Sequence, residues 1–152
     1  LGTVVQRGVE FSVTGKLLPR VTVVGGAVLT DPRVTGDLVD EGRIGRKPVG
    51  NAGRLLTFNV NYDVPWAEGV ALTFNTAYHG PRIADRLNHV STPSATNIDI
   101  GVRYRFRINR TPALLRFQIE NVTNNFDWKV SSASTYEVTN PRVAYIHLTM
   151  DI

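Results

Sequence analysis

The chain lacks three things: cysteine, long apolar runs and blocks of like charge. Without cysteine it has no disulfide, no thiol nucleophile and no cysteine-based metal site. No apolar run approaches the ~18 residues that a membrane-spanning helix needs. The formal net charge of +4, from 17 basic and 13 acidic residues, is small and evenly spread, which argues against nucleic acid as a partner. The 152 residues suit one domain, and the start at Leu1 indicates a processed chain or a piece of a longer one.

Strict alternation of apolar and polar residues is what the sequence has in abundance, most clearly in NIDIGVRYRFRIN (97–109). Such alternation is typical of a β-strand with one apolar and one polar face. All eight prolines lie in or beside breaks in the pattern, as expected of a residue that cannot donate to a strand ladder. Helical periodicity is confined to a short stretch near 37–45. The sequence predicts an all-β antiparallel meander of about seven long strands, at 4–18, 20–31, 54–64, 69–80, 96–109, 113–123 and 142–152.

The connections between these strands alternate between short and long. The turns lie at 17–20, 63–69 and 109–112, and the long loops at 32–53, 81–95 and 123–140. Outer-membrane barrels have this arrangement, with short periplasmic turns and long external loops. Two other classes stay open: a soluble β-sandwich that binds a ligand, and an outer-membrane barrel hydrolase that uses His147.

Six segments, taken in order, carry a resemblance to a known family. They are RGVEFSVTG (7–15), GRKPVGNAGRLLTFNVNYDVP (45–65), YHGPRIADRLN (78–88), DIGVRYRF (99–106), LRFQIENVTNNFDW (115–128) and NPRVAYIHLTMDI (140–152). The ordered set resembles the C-terminal part of TonB-dependent siderophore receptors. This family imports ferric siderophores, or similar metal chelates, by energised active transport. The chain departs from the family at its last residue, Ile152, where phenylalanine is usual.

The resemblance implies that residues 1–152 are the C-terminal portion of a 22-stranded transmembrane β-barrel in the outer membrane of a Gram-negative bacterium. The plug domain, and the N-terminal region that contacts the inner-membrane TonB energising complex, would lie outside this segment. The apolar strand faces would meet outer-membrane lipid, and the polar faces would line the lumen. Four polar residues would then face the plug domain: Asp99, Arg103, Arg105 and Glu120.

The resemblance also places the ligand at the external loops. Ferric siderophores are often anionic, so cations and aromatic rings can offer charge-assisted hydrogen bonds and stacking contacts. We expect this role for Arg82, Arg86, His89, Trp128, Lys129 and Tyr136. The three histidines lie on separate predicted elements without a metal-ligand spacing, so we expect no metal site, no cofactor and no catalytic residue.

Overall fold

The computed structural model describes residues 2–133 and 135–150, and its main element is one antiparallel sheet of seven strands. The sheet has the order β1-β2-β3-β4-β7-β8-β11, so each strand lies beside its neighbours along the chain, apart from short hairpins in the loops. The elements are β1 (Thr3–Leu18), β2 (Val21–Thr35), α1 (Asp37–Asp40), β3 (Arg54–Asp63), β4 (Val70–His79), β5 (Arg82–Ile83), β6 (Ser91–Thr92), β7 (Ala95–Ile108), β8 (Thr111–Glu120), β9 (Trp128–Ser132), β10 (Thr135–Val138) and β11 (Val143–Met150).

The predicted meander of seven strands is confirmed, and so is the sorting of short and long connections. The turn between β7 and β8 is only Asn109-Arg110, and both residues have positive φ, 48° and 73°. Two consecutive left-handed residues are the geometry of a tight hairpin turn whose twist matches its strands. The expected helical stretch shrinks to the single turn of α1, which lies between Gly36 and Gly42, both with positive φ.

Strand β2 continues beyond the predicted end at Asp31, through Pro32, as far as Thr35. The prediction was wrong because proline disrupts a strand only where its missing N–H would have donated a hydrogen bond to a neighbouring strand. Here no neighbouring strand faces the nitrogen of Pro32. On the side of β2 that faces β3, the amides of Thr30 and Val34 donate to Gly53 O and Arg46 O, at 2.8 Å each. Pro32 lies between these two donors. The opposite edge keeps its pairing, with Pro32 in register with Gln6 of β1.

One face of the sheet is apolar and is left uncovered. A Cβ added to Gly25 would lie 3.4 Å from Val13 and 3.5 Å from Phe58, so these three residues share that face. Its large side chains remain exposed, for example Phe11 at 64% and Ile146 at 68%. Among the described residues no large side chain is fully buried. A soluble sandwich buries such a face against a second sheet, and the described residues contain only two further sheets, both two-stranded hairpins in the loops.

The opposite face is polar along the same registers. One row across it runs through five strands: Thr22, Asn61, Thr73, Gly101 and Gln118. Gly101 is the exception in size for a steric reason, because a Cβ there would come within 2.7 Å of Thr73 Oγ1 and 3.0 Å of Phe117 O. The predicted two-faced strand 97–109 therefore belongs to a sheet that is two-faced throughout. Ile152 lies outside the described residues.

Two opposite substitutions, one on each face of the sheet, test which face meets lipid and which faces the lumen. Val102 lies mid-strand on the apolar face, in register with Leu72 and Phe117. In the full-length protein, Val102→Arg should destabilise the barrel by roughly 2–4 kcal/mol, the cost of a cation at the bilayer midplane. The matched change Arg103→Leu, on the polar face, should cost far less. The measurement is urea unfolding in lipid bilayers. Normal folding of Val102→Arg combined with misfolding of Arg103→Leu would mean that the faces are reversed.

Candidate functional site at the long-loop end of the sheet

Two small hairpins organise the long loops, and sequence reasoning missed both. Strands β5 and β6 pair within the loop after β4, with Arg82 opposite Thr92. Strands β9 and β10 pair within the loop before β11, with Lys129 opposite Glu137. Strands of two to five residues are too short for a period-two pattern to be recognised. These hairpins nevertheless hold four of the six residues predicted to bind ligand: Arg82, Trp128, Lys129 and Tyr136.

An aromatic cluster forms on the β9–β10 hairpin. The ring centroids of Trp128 and Tyr136 are 6.2 Å apart, edge to face, and those of Trp128 and Phe126 are 5.3 Å apart in the same geometry. All three rings keep 40% or more of their surface exposed. The structure thus brings Trp128 and Tyr136 together, and it adds Phe126, which the sequence analysis did not select.

A His79–Asp127 pair fastens this hairpin to the end of β4. His79 Nε2 lies 2.5 Å from Asp127 Oδ2, while Nδ1 lies 3.0 Å from Gly80 O. Both side chains are nearly buried, with 14% and 10% exposed. The ring thus lies between a backbone carbonyl and a carboxylate, with one nitrogen facing each of them. Asp127 Oδ1 also accepts from Trp128 N at 2.8 Å, which fixes the start of β9.

Sequence reasoning missed the His79–Asp127 pair because its members are 48 residues apart. The sequence analysis considered His79 only as a metal ligand, and no local spacing marks its partner. The sequence signal that could have pointed to His79 is its position as the last residue of β4, on the polar side of the strand and next to a long loop.

Asn121 closes the base of the same loop. It is 5% exposed and has a φ of 50°. Its Nδ2 donates to Asn125 O at 2.9 Å and to Asn140 O at 3.1 Å, and its Oδ1 accepts from Asn125 N at 2.9 Å. One buried amide therefore joins both ends of the connection between β8 and β11, and this fixes where the hairpin starts and returns.

The four residues predicted to face a plug lie on the polar face in two different settings. Asp99 accepts from Asn121 N at 2.9 Å and from Asn97 Nδ2 at 3.0 Å, and Glu120 accepts from the hydroxyl of Tyr145. These two carboxylates, near the loop end, already have partners. Arg103 and Arg105 lie toward the short turns, and Arg103 is in register with a further arginine, Arg116.

Arg103 is the most constrained of these arginines. One of its terminal nitrogens donates to Asn61 Oδ1, while its Nε is buried without a hydrogen-bond partner. A buried unsatisfied donor is costly. In the described part of the chain, Arg103, Arg105, Arg107 and Arg116 form no ion pair of 4.0 Å or less. This end of the polar face is therefore rich in cations, and the carboxylate in the row of Arg103 is Asp63, two strands away.

A cavity of about 410 Å³ lies beneath the β9–β10 hairpin. Arg82 and Lys129 lie at its wall together with His79, Asp127 and Glu120. Its polar lining also includes amide and hydroxyl residues, among them Asn97, Asn125 and Thr139. The structure therefore brings two predicted cations, Arg82 and Lys129, to one cavity, where they can offer charge-assisted hydrogen bonds to an anion.

Arg86 and His89 are not among the residues lining this cavity. They lie on the connection between β5 and β6, whose shape depends on Asp85. The Asp85 carboxylate accepts from Val90 N at 2.8 Å and from Leu87 N at 3.3 Å. The hydrogen bond from Val90 is the largest of the causes that hold the pKa of Asp85 below its ordinary value of 3.8. The ligand-binding roles of all six residues stay predictions.

Comparison with known proteins identifies one group of relatives. No protein-family model matches the chain. A ferrichrome receptor of Yersinia enterocolitica is 32% identical over 148 residues, which are 96% of this chain and 19% of the receptor. The chain therefore spans about a fifth of the length of that relative.

The solved structures agree in fold. The ferric preacinetobactin receptor of Acinetobacter baumannii superposes with a TM-score of 0.86 at 26% identity, over 97% of this chain and 22% of the receptor. A siderophore receptor of the same organism gives 0.79 at 17% identity, over the same shares. The resemblance to TonB-dependent siderophore receptors, and the prediction of an all-β barrel segment, are confirmed.

Removing one side of the His79–Asp127 pair should loosen the β9–β10 hairpin. A buried polar group left without its partner costs about 1–3 kcal/mol. In the full-length protein, His79→Ala should therefore speed amide hydrogen exchange in residues 128–138 by roughly ten- to a hundred-fold. His147→Ala, which removes a histidine from the same polar face, is the control and should leave this exchange unchanged. Equal protection from amide hydrogen exchange in both variants would contradict the proposal that His79 holds the hairpin in place.

Proposed function

We propose that this chain is the C-terminal, seven-stranded part of the barrel of a TonB-dependent siderophore receptor, and that the complete receptor imports ferric siderophores across the outer membrane of a Gram-negative bacterium. The observation that carries the proposal is the agreement of sequence and fold over nearly the whole chain with receptors for ferric siderophores. The uncovered apolar face supports it independently, because lipid is the environment in which such a face is stable.

The ligand is proposed to enter from the long-loop end and to meet the β9–β10 hairpin first. Trp128 and Tyr136 present exposed ring faces and edges, and Arg82 and Lys129 follow in the cavity below. This order suits a ferric siderophore, whose organic periphery can stack on aromatic rings while its negative charge attracts cations. Arg86 and His89 would make later, peripheral contacts from the connection between β5 and β6.

The plug domain is proposed as the partner of the cationic end of the polar face. Arg103 is in register with Arg116 of β8, and Arg105 lies two residues further along β7 on the same face. Carboxylates that approach such a cluster would stabilise it, and 22-stranded outer-membrane transporters hold a plug in their lumen. Movement of the plug would be driven by the inner-membrane TonB complex, through a region of the receptor outside this chain.

The ligand proposal predicts a defined loss of affinity. In the purified full-length receptor, the double variant Arg82→Gln/Lys129→Gln should weaken ferric-siderophore binding by about ten-fold or more, because a hydrogen bond to a charged group is worth about 1.5–3 kcal/mol. The matched control Arg20→Gln/Arg110→Gln removes two cations from the short turns and should leave affinity unchanged. Binding can be followed by tryptophan fluorescence quenching. Equal affinities for both double variants would contradict the assignment.

The plug proposal predicts higher channel conductance and reduced siderophore uptake, with siderophore affinity unchanged. Arg103→Gln/Arg116→Gln should leave siderophore affinity at the external loops intact and make the barrel leakier, because the plug loses its charged contacts. Single-channel conductance in planar bilayers measures the leak, and uptake of the ferric siderophore by cells measures transport. The variant Arg103→Lys/Arg116→Lys retains the charge and is the control. Normal conductance and normal uptake in the glutamine variant would rule out this docking role.

A further inference from the structure

The charged residues of β7 and β8 are sorted along the polar face from one end of the strands to the other. Near the long loops they are the carboxylates Asp99 and Glu120, both of which already accept hydrogen bonds. Toward the short turns they are all cations: Arg103, Arg105, Arg107 and Arg116. An anion that has passed the loops is therefore attracted toward the short turns.

A cavity of about 940 Å³ lies at this end of the sheet, beside the turn between β3 and β4, and is called the short-turn cavity below. Arg105 and Arg107 line it, and in register with them on β8 are Leu114 and Pro112. Thr149 of β11 is in register with Leu114 and adds a hydroxyl group from a third strand. The volume lies within the range of about 300–1,000 Å³ that is usual for small-molecule sites.

The backbone of β7 adds a further donor to this cavity. The pairing of β4 with β7 ends at Val70 and Tyr104, and Arg105 N then donates to Gly69 O at 2.9 Å. Alternate N–H groups of an antiparallel strand point to the same side. The N–H of Arg107 therefore points past the end of β4, where no described strand lies. It can donate to an anion in the cavity.

The lining of the short-turn cavity carries two cations and one carboxylate, which is Glu68 of the turn between β3 and β4. In the described part of the chain, neither Arg105 nor Arg107 forms an ion pair of 4.0 Å or less. Both guanidinium groups can therefore offer paired donors to a ligand. Glu68 opposes a second anion, so we expect the cavity to hold anions less tightly than a purely cationic site would.

The short-turn cavity is remote from the cavity beneath the β9–β10 hairpin, which is called the loop cavity here. From Ala95, which lines the loop cavity, to Arg105 there are ten residue steps along β7, or roughly 33 Å at about 3.3 Å per residue. A strand tilt of about 40° reduces this to roughly 25 Å of height. The two cavities are therefore separate sites at opposite ends of the polar face.

We propose that the short-turn cavity is a second, weaker binding site for an anionic ferric siderophore, which occupies it after leaving the loop cavity. The negative charge of the chelate is met by Arg105, Arg107 and the N–H of Arg107, and its organic periphery by Leu114 and Pro112. A ligand that leaves a tight site for water must overcome the whole binding free energy in one step, whereas a second site divides that cost.

The proposal rests on the proposed function and adds to it a site at the end of the transport path. Arg103 and Arg116, which are proposed above to hold the plug, lie further from the short turns. Arg105 lies between these two arginines and Arg107, so the chelate reaches the short-turn cavity only when the plug has moved.

The test counts binding sites in the full-length receptor, reconstituted in nanodiscs that leave both membrane faces accessible. The probe is the ferric complex of a hexadentate tris-catecholate, which is an anion, and equilibrium dialysis should resolve a tight and a weak class of sites. Arg105→Gln/Arg107→Gln should weaken the weak class by about ten-fold or more and leave the tight class unchanged. The control Arg20→Gln/Arg110→Gln removes two cations from neighbouring short turns and should change neither class.

A neutral probe, the ferric complex of a hexadentate tris-hydroxamate, separates charge from shape. Its binding should be the same in the parent and in Arg105→Gln/Arg107→Gln. A single class of sites for the anionic probe in the parent, or a weak class that survives the double substitution, overturns the proposal. An equal loss for the neutral probe would attribute the effect to a rearranged turn and also overturns it.

The same measurements separate this site from the proposed function. Arg82→Gln/Lys129→Gln should weaken only the tight class, because these residues line the loop cavity. Absence of a tight class in the parent would contradict the proposed loop site, while the weak class could still be measured. Heat-modifiable gel migration checks that each variant is folded, and Arg107→Gln alone serves if the double variant is not.

Discussion

The backbone hydrogen-bond ladder is the constraint on which the rest of this structure depends. The seven strands have almost no buried core to hold them. Among the described residues the buried apolar ones are Val64, Ala71, Ala84 and Ala113, and Val64 and Ala84 lie outside these strands. What the strands share is continuous antiparallel pairing, interrupted in register only near Lys16. In hydrocarbon each unpaired backbone group costs several kcal/mol, so pairing alone can hold a sheet together where apolar burial cannot. The two faces are then free to differ completely.

That freedom explains the distribution of charge. On the polar face, Asp99 and Glu120 are held by neighbours near the loops, while the arginines around Arg103 accumulate toward the short turns. On the apolar face, charge is excluded until Asp31 and Arg54, at the long-loop end of the sheet.

The sequence was sufficient to predict the strands and their faces but not the architecture of the loops. Period-two alternation is a local property, so β7 could be recognised from residues 97–109 alone, together with the side on which Arg103 lies. The His79–Asp127 pair and the amide of Asn121 join segments that are distant in sequence, so no local sequence pattern predicts these contacts. The predicted end of β2 was wrong for a related reason. Whether Pro32 ends the strand depends on whether the adjacent segment has a strand carbonyl that needs its N–H, and that adjacent segment is a loop.

The meander order also bears on how the segment is made. Every strand of the main sheet pairs with the strands that precede and follow it in the chain, and three of the six pairings close over connections of only two to six residues. Contacts that are near in sequence form early and at low entropic cost, whereas the pairings across long loops wait for more chain to be ordered. Assembly can therefore proceed hairpin by hairpin, with each completed pair presenting a template edge to the next. At the end of that process β1 still has one unpaired edge along its 16 residues, and such an edge is a template for pairing with a further strand.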